Sequence, residues 1–202
     1  MIKIRNITKT YSKETVLKID YLDINSGQTF GLVGNNGAGK TTLFSALLDL
    51  IKPTTGEVLN NGINVRTSED WKSFTSAFLA ESFLSSYVLP EEYFYFVGEL
   101  RNFSKKQVDE FLKQFEDLFN GEILGGKKFI RDLSKGNQKK VGIVAALIGD
   151  PEVIILDEPF ANLDPTTQIR LKKIIKTLSQ KVGVTVLVSS HDLQDVTEVS
   201  DR

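Results

Sequence analysis

The stretch Gly34-Asn35-Asn36-Gly37-Ala38-Gly39-Lys40-Thr41-Thr42 constrains this chain more than any other. It follows a short apolar run, Thr29-Phe30-Gly31-Leu32-Val33, and opens onto Leu43-Phe44-Ser45-Ala46-Leu47-Leu48. That is the strand, loop and helix context required by the phosphate-binding pattern G-x-x-x-x-G-K-[ST]. Glycines let backbone N–H groups turn inward without an obstructing Cβ, and the following helix N-terminus adds partial positive charge. Lys40 can reach nucleotide β and γ oxygens, and Thr41 can ligate Mg²⁺. An ordinary glycine-rich βα turn is the alternative, and the flanking strand and helix weigh against it. The stretch is expected to be a nucleotide cradle.

With 202 residues the chain holds one full domain, or one domain and a small subdomain. Lys plus Arg number 25 against 26 Asp plus Glu, so the basic excess typical of nucleic-acid binding is missing and nucleic acid is not an expected partner. There is no cysteine, which removes disulfides and thiolate metal sites. No apolar run approaches the ~18 residues of a membrane span, and a soluble, cytoplasmic protein is expected.

Residues 2 to 33 read as strands, with Ile2, Ile4 and Ile7 spaced by polar residues. Tyr11 stands in a polar turn there; it either packs at a strand end or stacks on a nucleobase. Asn61-Gly62 between apolar residues is a two-residue hairpin signal, so the early chain carries an antiparallel layer. Residues 71 to 103 are dense in aromatics, among them Trp71, Phe74, Phe78, Phe83 and Tyr87. Most are expected to form the core of a small helical subdomain, and some a docking surface. From residue 104 the spacing of Val108, Phe111, Leu112, Phe115 and Phe119 is helical.

Leu133-Ser134-Lys135-Gly136-Asn137-Gln138 precedes a helix with Val141, Val144, Ala145 and Ile148 on one face, and Ser134 is its expected N-cap. Val153-Ile154-Ile155-Leu156 has the continuous apolarity of a strand buried on both faces. It ends in Asp157-Glu158, where open α/β sheets bind ligands. Because neighbouring side chains on a strand face opposite ways, the two acids are expected to divide two tasks, one toward Mg²⁺ and one toward the reacting phosphate. His191, the single histidine, follows the last strand at the same edge.

Taken together, the cradle, the serine-glycine segment, the strand ending Asp157-Glu158, the Asn162-Leu163-Asp164 loop and His191 resemble, in order and spacing, the nucleotide-binding domain of ATP-binding-cassette (ABC) transporters. The resemblance covers almost the whole chain, and its discriminating element is the serine-glycine segment. It implies an α/β fold: a P-loop NTPase core with a mainly parallel sheet, an N-terminal antiparallel β layer and a small helical subdomain. Residues 1–80 and 150–202 would form the core, and about 81–149 the helical part. It implies an ATPase using ATP and Mg²⁺ and working with a transmembrane permease subunit from the cytoplasmic face of the membrane. Lys40 and the amides of Gly34 to Thr42 would hold the phosphates, Thr41 and Asp157 the metal, and Tyr11 the adenine. Glu158 would activate water, and His191 would contact the γ phosphate. Ser134 and Gly136 would close over ATP held by a second cassette in a head-to-tail homodimer or heterodimer, with Asp164 at the seam.

Three departures from the family pattern stand out. Glu81 occupies the place of a usual glutamine; as a carboxylate it can approach Mg²⁺, but it brings negative charge near phosphates and has no amide to donate. Lys135 replaces the first of two glycines, and either attracts the partner's γ phosphate or faces water. The family continues beyond Arg202 into closing strands and a glycine turn, so the chain is expected to be truncated. The general look of the sequence resembles the export branch. A non-transport ABC-type switch is the competing reading; a GTPase or small-molecule kinase would lack the serine-glycine segment.

Overall fold

The computed structural model describes residues 1–201. Two four-stranded sheets dominate it. The first is antiparallel, in the order β2-β1-β4-β5, built from β1 (Ile2–Tyr11), β2 (Glu14–Ile24), β4 (Thr55–Asn60) and β5 (Ile63–Asn64). Asn61 and Gly62 form the predicted two-residue turn between β4 and β5. The second is parallel, in the order β3-β8-β7-β6, from β3 (Thr29–Val33), β6 (Thr75–Phe78), β7 (Val153–Leu156) and β8 (Thr185–Ser190).

The two-residue period of a strand sorts the apolar residues of the parallel sheet into two cores. Val153 and Ile155 of β7 and Leu187 of β8 join Ile4, Phe44 and Trp71 beneath the antiparallel sheet, around α1 (Lys40–Leu47). Ile154 and Leu156, with Val186 and Val188, face the other way onto α5 (Lys135–Leu147), α6 (Pro165–Ser179) and the helical segment. That segment comprises α2 (Pro90–Leu100), α3 (Lys105–Lys113) and α4 (Glu116–Phe119), whose Phe94, Phe115 and Phe119 rings pack together. A short α7 (Leu193–Thr197) covers β3.

The aromatics of 71 to 103 divide in a way their sequence does not announce. Trp71 belongs to the core under the antiparallel sheet and donates its indole N–H to the Val65 carbonyl at 3.0 Å. Phe78 lies in β6, a strand the sequence pattern did not indicate. Phe83, Tyr87 and Phe96 are exposed. Because β6 is an edge strand, its outer carbonyls need donors. Arg101 supplies them, bonding the Thr75 carbonyl at 2.6 Å and the Ser76 hydroxyl at 2.7 Å. Helix α5 crosses so close to β6 that a Cβ on Gly142 would stand 2.2 Å from the Phe78 ring, so only glycine permits this approach.

Candidate functional site

The cradle sits at the C-terminal end of β3, and its shape follows from one backbone choice. Gly39 caps α1 at φ 91°, with no side chain accepting from the first turn. A Cβ there would stand 2.6 Å from the Val16 carbonyl. The first-turn N–H groups are therefore left to an anion. The loop is held by a 3.1 Å bond from the Ala38 amide to the Asn35 carbonyl and a 3.3 Å bond from the Gly34 amide to the Ser190 carbonyl.

Lys40 is 8% exposed, and its ammonium donates to the Gly34 and Asn35 carbonyls at 2.5 and 3.2 Å. It also pairs with Glu158 Oε1 at 3.0 Å. The other Glu158 oxygen meets His191 Nδ1 at 2.9 Å and the His191 amide at 3.3 Å. Desolvation pushes the Glu158 carboxyl upward, but the bonds from His191 and Lys40 outweigh it and hold its pKa below the ordinary glutamate value.

Asp157 is buried beside them. It accepts from Thr41 Oγ1 at 2.5 Å and from the Ser189 hydroxyl, while Ser189 Oγ accepts from the Glu158 amide at 2.8 Å. Ser189 thus orients both acids, a role no sequence signal marked. Strand alternation does not separate the acids as expected. β7 ends at Leu156 and Glu158 adopts φ 46°, so both carboxylates turn toward one cavity and differ in partners rather than in face. Thr41 Oγ1 with the Asp157 carboxylate is a hard-oxygen donor set of the kind Mg²⁺ takes.

Tyr11, at the end of β1, lines a cleft with Gly37, Gly39, Lys40, Thr41 and Thr42. Its ring is half exposed, with the Lys9 ammonium 4.7 Å from the ring centroid. Asn36 and Glu158 border both this cleft and a neighbouring cavity of 460 Å³ lined by Glu81, Asp157, His191 and Lys139. Glu81 opens a single 3₁₀ turn there and lies 3.8 Å from the Lys139 ammonium.

Ser134, Gly136 and Asp164 do not line either space. Ser134 caps α5, accepting from the Asn137 amide at 3.2 Å, and Gly136 lies against Asn162 and Leu163. Asp164 caps α6 through the Thr167 amide at 3.0 Å and hydroxyl at 2.6 Å. The Lys135 ammonium turns back on its own helix to Gln138 Oε1 at 3.2 Å.

A glycine loop that ends a parallel strand, leads into an uncapped helix and meets an acid pair at the same sheet edge defines a P-loop nucleotide-binding fold. Comparison with known proteins takes this further. The family model described as ABC transporter matches residues 17–161. The methionine import ATP-binding protein MetN of Carboxydothermus hydrogenoformans is 30% identical, covering 100% of this chain and 62% of its own length. The glucose import ATP-binding protein GlcV of Saccharolobus solfataricus is 31% identical, covering 100% of this chain and 59% of its own. The bacitracin transport ATP-binding protein BcrA of Enterococcus faecalis is also 31% identical, over 100% and 64%. The chain thus spans 59% to 64% of the length of these curated relatives. Among solved structures, the ATP-binding cassette MJ0796, described as dimeric and bound to ADP and Pi, superposes with TM-score 0.84 at 25% identity, covering 98% of this chain and 91% of that one. The chain belongs to the ABC transporter family of ATP-binding proteins.

Proposed function

We propose that the chain is a Mg²⁺-dependent ATPase subunit that pairs head to tail with a second cassette, identical or related, and drives transport through a transmembrane permease subunit at the cytoplasmic face of the membrane. The observation that carries this reading is the linked set Lys40, Glu158 and His191 at the mouth of the cradle. Among the described residues, no helix is long and apolar enough to cross a membrane.

In this reading Tyr11 stacks on adenine, and the cradle amides with Lys40 hold the β and γ phosphates. Thr41 and Asp157 hold Mg²⁺, which when bound neutralises charge on the phosphate oxygens. As Lys40 turns to the γ phosphate, its hold on Glu158 weakens. The released carboxylate then accepts a proton from the attacking water. His191 steadies that carboxylate through Nδ1 and contacts the γ phosphate. Ser134 and Gly136 from the second cassette exclude bulk water, and Asp164 lies at the seam between the two copies. Two of these relatives are named for import and one for bacitracin transport, at nearly equal identity, and the reading assigns no direction of transport. No specific observation favours a non-transport switch.

Glu158→Gln tests the reading. Steady-state hydrolysis should fall by about 10²- to 10⁴-fold, the usual contribution of a general base. ATP-dependent pairing, read by light scattering, should persist. Undiminished hydrolysis would remove Glu158 from the role of base, and absence of pairing would remove the shared site.

A further inference from the structure

Lys139 projects from the buried side of α5 and is 5% exposed. Its ammonium donates to the main-chain carbonyls of Glu158 and Ala161, each at 2.8 Å, and faces Glu81 Oε1 at 3.8 Å. A buried ammonium is tolerated only where its donors and its charge are answered. Here two donors meet the loop after β7, and the charge meets Glu81. The cavity beside the cradle is lined by three carboxylates, those of Glu81, Asp157 and Glu158. Each opposes entry of a polyphosphate unless it is paired. Asp157 is held by the neutral Thr41 and Ser189 hydroxyls and keeps its charge for a cation, while Glu158 has the Lys40 ammonium and the His191 ring. Glu81 has Lys139.

We infer that Lys139 is a positioning residue that cancels the charge of Glu81 and binds the Glu81 turn, the Glu158–Ala161 loop and α5 into one unit, leaving the metal to Thr41 and Asp157. This rests on the ATPase reading above and revises the place of Glu81 in it. A shift of the Glu81 turn is carried through one ammonium to the main chain at Glu158 and to the helix bearing Ser134. The neutral alternative at position 81 would lack this grip, because an amide gives Lys139 a dipole instead of a charge.

The test is a calorimetric titration of MgATP into the wild-type chain, Glu81→Gln, Lys139→Gln, Lys139→Arg and the double variant E81Q/K139Q, with melting temperatures measured without nucleotide. Glu81→Gln should tighten MgATP several-fold, because it leaves Lys139 as an unanswered positive charge beside the phosphates. Lys139→Gln should weaken MgATP several-fold, and Lys139→Arg should stay close to wild type. The double variant should return to within about twofold of wild type, since the two charge effects oppose each other. Its melting temperature should fall by less than the two single losses added together, as expected for partners in contact. Weaker binding in Glu81→Gln would overturn the inference and make Glu81 a direct Mg²⁺ ligand. A double variant as weak as Lys139→Gln would overturn it too, confining Lys139 to its carbonyl contacts. If the wild-type chain binds no MgATP, the ATPase reading fails instead, and additive melting losses would then refute the pair by themselves.

Discussion

Two helices of this protein present glycine-bearing N-termini, and they are finished in opposite ways. Helix α1 begins at Gly39 with no side-chain cap, so its first-turn amides wait for an external acceptor. Helix α5 begins at Ser134, whose hydroxyl already accepts from the Asn137 amide, while the Asn137 side chain donates to Glu122 at 3.0 Å. The first end keeps its amides clear of any side-chain cap, with Lys40 buried beside it. At the second, one first-turn donor is already taken by the cap of its own chain. A helix N-terminus is thus not a phosphate site by virtue of being one. What decides is whether a local side chain has taken the donors first.

Gly39→Ala should break the contrast with the largest effect. The left-handed backbone strains any other residue by about 1–3 kcal/mol, and the new Cβ would press on the Val16 carbonyl. Chemical denaturation should show a loss in at least that range, and MgATP titration should show no binding. A variant that stays stable and binds nucleotide would mean that the cradle does not depend on an open glycine cap.

Ser134→Ala should sharpen the contrast at intermediate cost. Loss of an N-cap hydroxyl destabilises by about 1 kcal/mol, measurable in the same denaturation. ATP-dependent pairing of two copies should weaken more than MgATP affinity in one copy. Equal losses in the two would make Ser134 a structural cap alone.

The difference between these ends also explains what the sequence disclosed. The cradle, the Asn61–Gly62 turn, the Ser134 cap and the doubly buried β7 are written in local signals: glycine spacing, turn chemistry, capping chemistry and an apolar run. Strand β6 is not. Thr75-Ser76-Ala77-Phe78 is too short to show an alternation, and only pairing with β7 makes it a strand. Trp71 and Phe74 pack under the antiparallel sheet while Phe78 and Phe94 pack on the opposite face, a division that no local spacing announces. No sequence signal singles out Lys139; it is buried because α5 runs under the loop after β7. Ser189 carries no sequence signal, and its bonds to the Asp157 carboxylate and the Glu158 amide depend on β7 and β8 lying side by side. Asp157, Glu158 and His191 were legible from their place at strand ends and from the family resemblance although their partners lie on other elements, whereas Ser189 and Lys139, whose partners also lie elsewhere and which no motif marks, were not.

Acid titration should separate the two ends with the smallest effect. Glu158 beside the cradle and Glu122 beside α5 both have pKa values held below the ordinary glutamate value. For Glu158, the bonds from His191 and Lys40 prevail over desolvation; for Glu122, the amides of Asn137 and then Asn120 are responsible. A carboxyl depressed on folding stabilises the protein above its unfolded pKa, and that contribution is lost as pH falls through the folded value. Both contributions are therefore present at neutral pH and disappear in the acid range, from about pH 5 downward. They differ in screening. The Glu158 side chain is 23% exposed, whereas Glu122 stands open to water, where charge-assisted bonds contribute little. Melting temperatures across that range should show Glu158→Gln flattening the acid dependence more than Glu122→Gln does. Equal flattening would place the electrostatic weight at both helix ends alike, and the cradle would then owe its distinction to its open amides and not to its charges.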